Sequence, residues 1–362
     1  MVKKNKKDRL NMKSFVNTIL IAFLLLALVG CKSNKKEVVK EVAVSTDTGL
    51  KFLSKEEAEN KIVVDEIEDF FGSLSIADMS IQLRKTDMPE SGGESKVLYQ
   101  TLLRNEMSEF KPEEKAFMQE VFISAKSAID YLNPKLYPEH IELLKTKTNH
   151  YGPDVYYTRE DAIILPENIF EAPSVKVQMP IMLHEIFHIL SRYNDDFRDK
   201  MYALIGFEKF EEDLVIPKYL QDRLLTNPDG IRRDYAINLK NDQGEIQRAV
   251  PLILTKRERY DESMPTFFSY LNFDLFPLIK ITENQVTLGL KNKGESSLSL
   301  EHNADFFNLI KDNTQYIIHP DEILADNFMM AVIAHRDNDY SGFSNDGKKL
   351  LMDVIDVLKS FE

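Results

Sequence analysis

The segment from Gln178 to Leu190 constrains the fold of this chain most, because it places charged groups inside an almost wholly apolar stretch. His184 and His188 are four residues apart, so a helix would direct both imidazoles to one face, one turn apart. A helix that is apolar on all sides is buried. Burying Glu185 beside two histidines is costly unless something pairs with them. The segment therefore predicts a buried helix that carries a polar centre.

The pattern His-Glu-x-x-His indicates that this polar centre binds a metal ion. Two neutral imidazole nitrogens at this spacing can reach one Zn²⁺, which makes His184 and His188 the predicted metal ligands, with one zinc per chain. Glu185 can hold a water at the metal and take its proton as general base, so it is the predicted catalytic residue. A chance occurrence of the pattern in a buried helix is the alternative.

Two histidines leave a zinc site incomplete, so a third ligand must lie elsewhere in the chain. Ser191 and Asn194 stand where the metzincin pattern has glycine and a third histidine, so that pattern fails. Pro320 favours a helix start, after which Glu322 and Asp326 share one face. Glu322 is the predicted third ligand, and Asp326 the predicted hydrogen-bond partner of a ligating histidine. An ordinary acidic helix start is the alternative.

Together the two motifs, His184-Glu185-x-x-His188 and then Glu322-x-x-x-Asp326, resemble those of the gluzincin metallopeptidases in their thermolysin-like arrangement. The resemblance covers two helices. It implies a zincin-like catalytic domain in which His184, His188 and Glu322 bind zinc, Glu185 is the base and Asp326 orients a histidine.

The resemblance also implies features outside the two helices. The distance between the motifs is longer than in thermolysin-like enzymes, which implies an insert at about residues 194–315. Gluzincins often use a tyrosine or histidine to stabilise the oxyanion, and the candidates by residue type are Tyr235, His302, Tyr316 and His319. The apolar run Ala162 to Leu165 suits the fold as a strand whose exposed edge could hold an extended peptide.

Residues 1–30 have the pattern of a bacterial lipoprotein signal peptide. Basic residues precede an apolar core from Phe15 to Val29, which is short for a membrane span. Leu28-Val29-Gly30-Cys31 looks like a lipobox, so Cys31 is expected to carry a lipid, with an uncleaved anchor or a chance cysteine as alternatives. Residues 31–54 are expected to form a tether. The body would then lie outside the cytoplasm, lipid-anchored on the bacterial cell envelope, with the outer membrane or cell surface favoured.

Charge and cysteine content exclude several other classes of protein. The chain has 46 Lys and Arg against 59 Asp and Glu, a net charge of −13 at pH 7. Such an acidic body argues against binding to nucleic acid and against charge-driven binding to anionic lipid. One cysteine allows neither an internal disulfide nor a cysteine metal cluster. The predicted partners are a peptide or protein substrate, and the membrane through the lipid on Cys31.

Apolar periodicity predicts a helix-rich α+β fold with small antiparallel sheets. An N-terminal helical region, residues 55–134, would precede the zincin-like domain, residues 135–362. Helices are expected at 55–71, from 112, and at 177–193, 209–225, 262–279, 302–311 and 320–336. Strands are expected at 141–144, 154–157 and 162–165, and hairpins at 235–244 and 286–300.

Two further expectations concern loops and surface residues. Asn227-Pro228-Asp229-Gly230 has turn-forming residues throughout, so it is expected to be a turn without a role in the site. His140, His150 and His335 are expected on the surface.

The functional expectation is a surface-tethered zinc metallopeptidase that hydrolyses peptide bonds with an activated water and Glu185 as general base. The first alternative is a non-catalytic, zinc-containing binding lipoprotein in which the metal is structural. The second is a binding lipoprotein without metal, in which the motif is a coincidence.

Overall fold

A computed structural model describes residues 48–362, apart from residues 90, 149, 242, 265, 292–293, 299 and 301–302. The predicted signal peptide, Cys31 and the first part of the predicted tether lie outside the described residues. The described residues belong to one compact unit of the chain. Within them, the helices lack the combination of length and apolar character that crossing a bilayer requires.

Helices supply most of the regular structure, and the α+β class predicted from the sequence is confirmed. The described α-helices are α1 (Lys55–Lys61), α2 (Phe70–Ser73), α3 (Ile76–Leu83), α4 (Gly92–Glu106), α5 (Pro112–Leu132), α6 (Val175–Tyr193), α7 (Asp195–Leu204), α8 (Lys218–Gln221), α9 (Ala304–Ile310), α10 (Pro320–Asp337) and α11 (Asn345–Lys359). The two motif helices, α6 and α10, are close to their predicted bounds. The predicted helix 55–71 is instead split into α1 and α2.

The first sheet comprises β1 (Leu50–Phe52), β2 (Met107–Ser108), β3 (Ile141–Thr146), β4 (Tyr157–Arg159) and β5 (Ala162–Pro166). Its main order is β1-β3-β5-β4, and β2 pairs with β3. The pairs β1–β3 and β3–β5 are parallel, whereas β2–β3 and β4–β5 are antiparallel. The sheet is therefore mixed rather than antiparallel as predicted.

The second sheet arises from the predicted insert and contains β6 (Phe207–Lys209), β7 (Asp213–Val215), β8 (Tyr235–Lys240), β9 (Ile246–Thr255), β10 (Leu271–Thr282) and β11 (Gln285–Leu288). Its order is β6-β8-β9-β10-β11-β7, with antiparallel pairs except β11–β7. The hairpin predicted at residues 235–244 is confirmed by the β8–β9 pair. The hairpin predicted at residues 286–300 is confirmed in part: Leu290 and Ser296 form an antiparallel bridge across the predicted turn, whereas β11 pairs with β10.

Two predicted helices in this part of the chain are wrong. Half of residues 262–279 belong to β10, whose residues Leu271 to Pro277 pair with β9 over seven positions. This segment is rich in aromatic residues, and Pro277 could not continue a helix. Residues 209–225 contain β7 and only the short helix α8. In both stretches, pairing with distant strands overrides a local apolar period that also fits a helix.

The first sheet separates two apolar layers. Along β5, Ile163 and Leu165 pack with α5 and α6. On the opposite face, Ala162 and Ile164 pack with the N-terminal helices α1 to α4. This is the period-two alternation of a strand that is buried on both faces.

Two predicted domain boundaries therefore differ from the structure. The predicted tether, residues 31–54, extends into ordered structure, because β1 pairs with β3 and Ser54 caps α1. The predicted boundary at residue 134 falls inside the compact unit, because β1 and β2 both pair with β3. The N-terminal helices are thus part of the fold that carries the motif.

The motif helices α6 and α10 pack directly against each other. Phe187 and Phe328 meet between them with ring centroids 5.7 Å apart, and both side chains are fully buried. At the start of α10, Pro320 occupies the first turn, and the side chain of His319 accepts a hydrogen bond from the backbone N–H of Asp321. This contact sets the position and the starting point of the helix that carries Glu322.

We expect Phe328→Ala to lower the free energy of unfolding by about 3–5 kcal/mol, because it leaves a cavity between the motif helices. Phe307→Ala, at a side chain that is 45% exposed, is the matched control, with an expected loss below about 1 kcal/mol. Urea unfolding measures both changes. Equal losses in the two variants would show that the contact between α6 and α10 is not central to the fold.

Candidate metal centre

Helices α6 and α10 bring His184, His188 and Glu322 together. Oε2 of Glu322 lies 3.1 Å from Nε2 of His184 and 3.6 Å from Nε2 of His188. One ligand atom from each residue lies within 4.8 Å of the others, and all three residues are buried. This group could hold a metal ion, and its donor set is the one predicted from the sequence.

Asp326 fixes the orientation of His184. Its Oδ1 lies 2.9 Å from Nδ1 of His184, and its Oδ2 accepts a hydrogen bond from the hydroxyl of Thr314. Because Nδ1 faces Asp326, Nε2 of the same ring faces Glu322. The contact is the one that the sequence predicted for Asp326, and carboxylates commonly orient metal-binding histidines in this way.

Asp321 does the same for His188, and sequence analysis missed it. Its Oδ2 lies 2.6 Å from Nδ1 of His188, while its Oδ1 accepts hydrogen bonds from Ser191 and Tyr202. The available signal was its place next to Glu322 at the start of an apolar helix, but nothing local distinguished it from an acidic helix start.

Without a metal, the buried ionisable groups strongly shift one another's pKa values. Burial alone would lower the pKa of His184, but hydrogen bonds to Asp326 and Glu322 raise it well above its ordinary value. Burial opposes charging of His188 as well, yet the negative charges of Glu322 and Asp229 raise its pKa to about 9. Burial would raise the pKa of Glu322, and the neighbouring His188 and His184 lower it. The metal-free centre therefore favours imidazolium rings beside a carboxylate.

Two buried polar atoms of this centre have no hydrogen-bond partner among the described residues. They are Nε2 of His188 and Oε2 of Glu185. Burial, followed by the charge of Asp229, raises the pKa of Glu185 to about 8. Leaving such atoms unpaired costs about 1–3 kcal/mol each, which favours a bound group that satisfies them. A cation beside Nε2 of His188 fits this requirement.

The loop at residues 227–230 contributes to the centre, so the prediction that it has no role there is wrong. The amide nitrogen of Asn227 donates to Oε1 of Glu322 over 2.6 Å. The carboxylate of Asp229 has a ligand atom within 4.8 Å of those of Glu185 and His188. At Gly230, a Cβ atom would lie 2.2 Å from Nδ1 of His319, so the close approach requires glycine. The turn-forming residue types gave no local signal for this long-range placement.

Arg192, one helical turn beyond His188, holds this loop against the first sheet. Its guanidinium donates to the carbonyl of Pro228 over 3.2 Å and to the hydroxyl of Thr158 in β4 over 3.0 Å. On its other side it pairs with Glu68 at 2.6 Å. Helix α3 also fixes this part of the chain, because Oδ2 of its Asp78 accepts a hydrogen bond from the backbone N–H of Thr226, just before the loop.

The predicted exposed edge at residues 162–165 is wrong. Strand β5 lies between β3 and β4, so both of its edges are paired. The outer strand is β4, and its Thr158 N–H donates to Oδ1 of Asp229 over 2.6 Å. The loop therefore covers the place where another strand would pair.

Among the candidates for stabilising an oxyanion, Tyr316 lies against the ligand set. Its ring stacks on His184 at 6.3 Å between centroids, with an angle of 22° between planes. Tyr235 instead bonds to Arg198, and His319 serves as the helix cap. His302 lies outside the described residues.

The surface prediction was wrong for one histidine. His150 is buried and lies 3.0 Å from the hydroxyl of Tyr157, and burial lowers its pKa to about 3. His140 is exposed, as predicted.

Comparison of the chain with protein-family models, with curated proteins and with solved structures found no match.

We expect Glu322→Ala to remove most of the bound zinc, because it deletes the oxygen that faces both imidazoles. The exposed His140→Ala is the control and should retain about one zinc per chain. Metal analysis of the purified proteins, with circular dichroism as a check on folding, measures this. Equal zinc in both folded variants would rule out Glu322 as a ligand.

Zinc binding at pH 7 is expected to release protons. The raised pKa values of His184 and His188 mean that both rings carry an extra proton before the metal binds, and that proton must leave Nε2. Affinity should therefore rise as the pH rises above 7. Calorimetric zinc titrations in two buffers of different ionisation enthalpy measure the release, and identical heats would contradict it.

Proposed function

We propose that this protein is a zinc metallopeptidase. The observation that carries the proposal is the convergence of two imidazole Nε2 atoms and one Glu322 oxygen next to the buried carboxylate of Glu185, whose Oε2 has no hydrogen-bond partner among the described residues. Two histidines, one carboxylate ligand and a neighbouring general base form the donor set of hydrolytic zinc sites.

Zinc is the metal that suits these donors best. Imidazole nitrogen and carboxylate oxygen bind Zn²⁺ readily, and catalytic zinc sites use three protein ligands with the fourth position left for water or substrate. His184, His188 and Glu322 would be those ligands, with one zinc per chain. When bound, zinc polarises a carbonyl group and lowers the pKa of a water molecule at the site.

Glu185 would move the proton in this reaction. Its Oε2 is buried and free of hydrogen bonds to the described residues, so it is available to take a proton from water and deliver it to the leaving amine. Burial raises the pKa of this carboxyl to about 8 in the absence of metal, and positive charge at the site would bring the pKa down towards neutrality. A base with a pKa near the working pH transfers protons in both directions.

Tyr316 would stabilise negative charge that develops on the substrate, and Asp326 would orient a metal ligand. The Tyr316 ring stacks on His184 at the edge of the centre, so its hydroxyl is the candidate to stabilise an oxyanion. Asp326 would hold the His184 ring in place through Nδ1.

The proposed setting is the bacterial cell envelope, and this part rests on the sequence alone. Cys31 would carry the lipid, and the body would act on peptide or protein substrates outside the cytoplasm. The acidic net charge of −13 argues against nucleic acid as a partner.

One observation favours the alternative of a structural zinc. The Asn227 amide covers Glu322 at 2.6 Å, and the three ligand residues are at most 5% exposed. A closed centre of this kind is typical of structural metal sites. In that case the protein would be a non-catalytic, zinc-containing binding lipoprotein, and zinc would stabilise the fold without any hydrolysis.

We expect Glu185→Gln to retain zinc and to lower peptide hydrolysis by at least about a hundredfold, because the amide cannot accept the proton. Glu211→Gln, at an exposed position in the insert, is the control and should keep full activity. Hydrolysis of an unstructured protein such as casein, followed by mass spectrometry, measures both. Undiminished hydrolysis by zinc-loaded Glu185→Gln would contradict the proposed mechanism, and zinc without hydrolysis in the wild type would favour the structural alternative.

A further inference from the structure

A cavity lies between the outer strand of the first sheet and the second sheet, next to the metal centre. Its wall is mainly apolar and includes six aromatic residues: Tyr151, Tyr156, Tyr157, Phe267, Phe268 and Tyr316. A lining of this kind suits an apolar side chain.

Asp229 is the single charged residue among the described residues that line this cavity. Its side chain reaches both the cavity and the metal centre, because a carboxylate oxygen lies within 4.8 Å of ligand atoms of Glu185 and His188. The residue is only 9% exposed. Arg192 approaches its backbone carbonyl at 3.5 Å and is otherwise engaged with Glu68 and other oxygens.

Only one oxygen of the Asp229 carboxylate is satisfied within the described part of the chain. Oδ1 accepts hydrogen bonds from the N–H and the hydroxyl of Thr158, at 2.6 and 2.7 Å. No hydrogen bond reaches Oδ2 from these residues. A carboxylate oxygen that accepts no hydrogen bond from the described residues, set beside aromatic rings, is suited to an ammonium group.

The short distance to the centre decides which ammonium group fits. In a peptide, the α-nitrogen is two bonds, of about 1.46 and 1.52 Å, from the carbonyl carbon of the same residue. The side-chain nitrogen of lysine is six bonds from that carbon, so it reaches much farther away. A carboxylate within 4.8 Å of His188 and Glu185 can therefore meet the α-ammonium of the residue whose carbonyl is attacked.

The loop also blocks the path that a longer peptide would take. A residue before the scissile one would extend along β4, but the Thr158 N–H there is already bonded to Asp229. An acylated nitrogen would bring no charge to Asp229 and would place its acyl group against the loop. With this N–H already bonded to Asp229, further chain on the amino-terminal side of the reacting residue would meet the loop.

We propose that the centre is that of an aminopeptidase, in which Asp229 binds the free α-ammonium group and the aromatic cavity holds the first side chain. This inference rests on the proposed peptidase function and names its substrate class: peptides with a free amino terminus and an apolar or aromatic first residue. In the reaction, the C–N bond between the first and second residues breaks, and a C–O bond forms with the oxygen of water. Glu185 transfers one proton from that water to the leaving amine.

Binding to the zinc-loaded Glu185→Gln protein tests the inference without turnover. The probes are L-phenylalaninamide and its N-acetyl derivative, measured by isothermal titration calorimetry. We expect the free amine to bind at least about tenfold more tightly, and we expect that preference to disappear when Asp229→Asn is added. The control, Asp222→Asn in the same background, removes a carboxylate that pairs with Lys218 outside the cavity and should keep the preference.

Equal binding of the two probes would overturn the inference. A preference for the amine that persists in the Asp229→Asn protein would also overturn it, because the amine would then be held by other groups. If Asp229→Asn fails to fold in thermal unfolding, Phe268→Ala provides the second test. This substitution truncates a partly exposed side chain in the cavity wall. We expect it to weaken the binding of L-phenylalaninamide more than the binding of L-alaninamide. Equal effects on both would contradict the assignment of the cavity to the first side chain.

Activity of the wild-type enzyme separates this inference from the proposed function. We expect a peptide that begins with phenylalanine to lose that residue, and its N-acetylated form to remain intact. Internal cleavage of the acetylated peptide would overturn the aminopeptidase inference while supporting a peptidase. Hydrolysis of neither peptide by the zinc-loaded protein would count against the proposed function itself.

Discussion

The packing of α6 against α10 is the constraint on which the rest of the structure depends. It buries His184 and His188 opposite Glu322, together with Asp321, and it partly buries Asp326. Ionisable groups at such density are tolerated only when each has a partner, yet Nε2 of His188 and Oε2 of Glu185 lack one among the described residues. A bound cation would resolve this conflict, so the energetics of burial and the proposed chemistry point to the same centre.

The N-terminal helices and the insert meet at this centre through the loop at residues 227–230. Arg192 links α6 to that loop and to Glu68, while Asp78 of α3 holds Thr226. Segments far apart in the chain therefore set the position of two side chains beside the ligands. The N-terminal helices thus have a structural role in the site: they fix the loop that covers the outer edge of the first sheet.

Sequence analysis could place the ligands because their signal is local. A spacing of four residues on an apolar helix defines His184 and His188, and the same spacing after Pro320 defines Glu322 and Asp326, which the structure places together. Asn227 and Asp229 lie in a turn whose residue types fit any surface loop, so only the fold reveals their role. The prediction of a helix for β10 is wrong for a similar reason. Its local apolar spacing also fits a helix, and only the pairing with β9, a distant part of the chain, selects the strand.

The central claim is that a metal is bound by two imidazoles and a carboxylate between α6 and α10. X-ray absorption spectroscopy at the zinc edge of the purified protein tests it most directly. The account predicts nitrogen and oxygen ligands at about 2.0–2.1 Å, with two imidazoles per zinc and a signal that loses one imidazole in His188→Ala. Protein that is folded but takes up no zinc, or zinc whose spectrum is unchanged in His188→Ala, would contradict it.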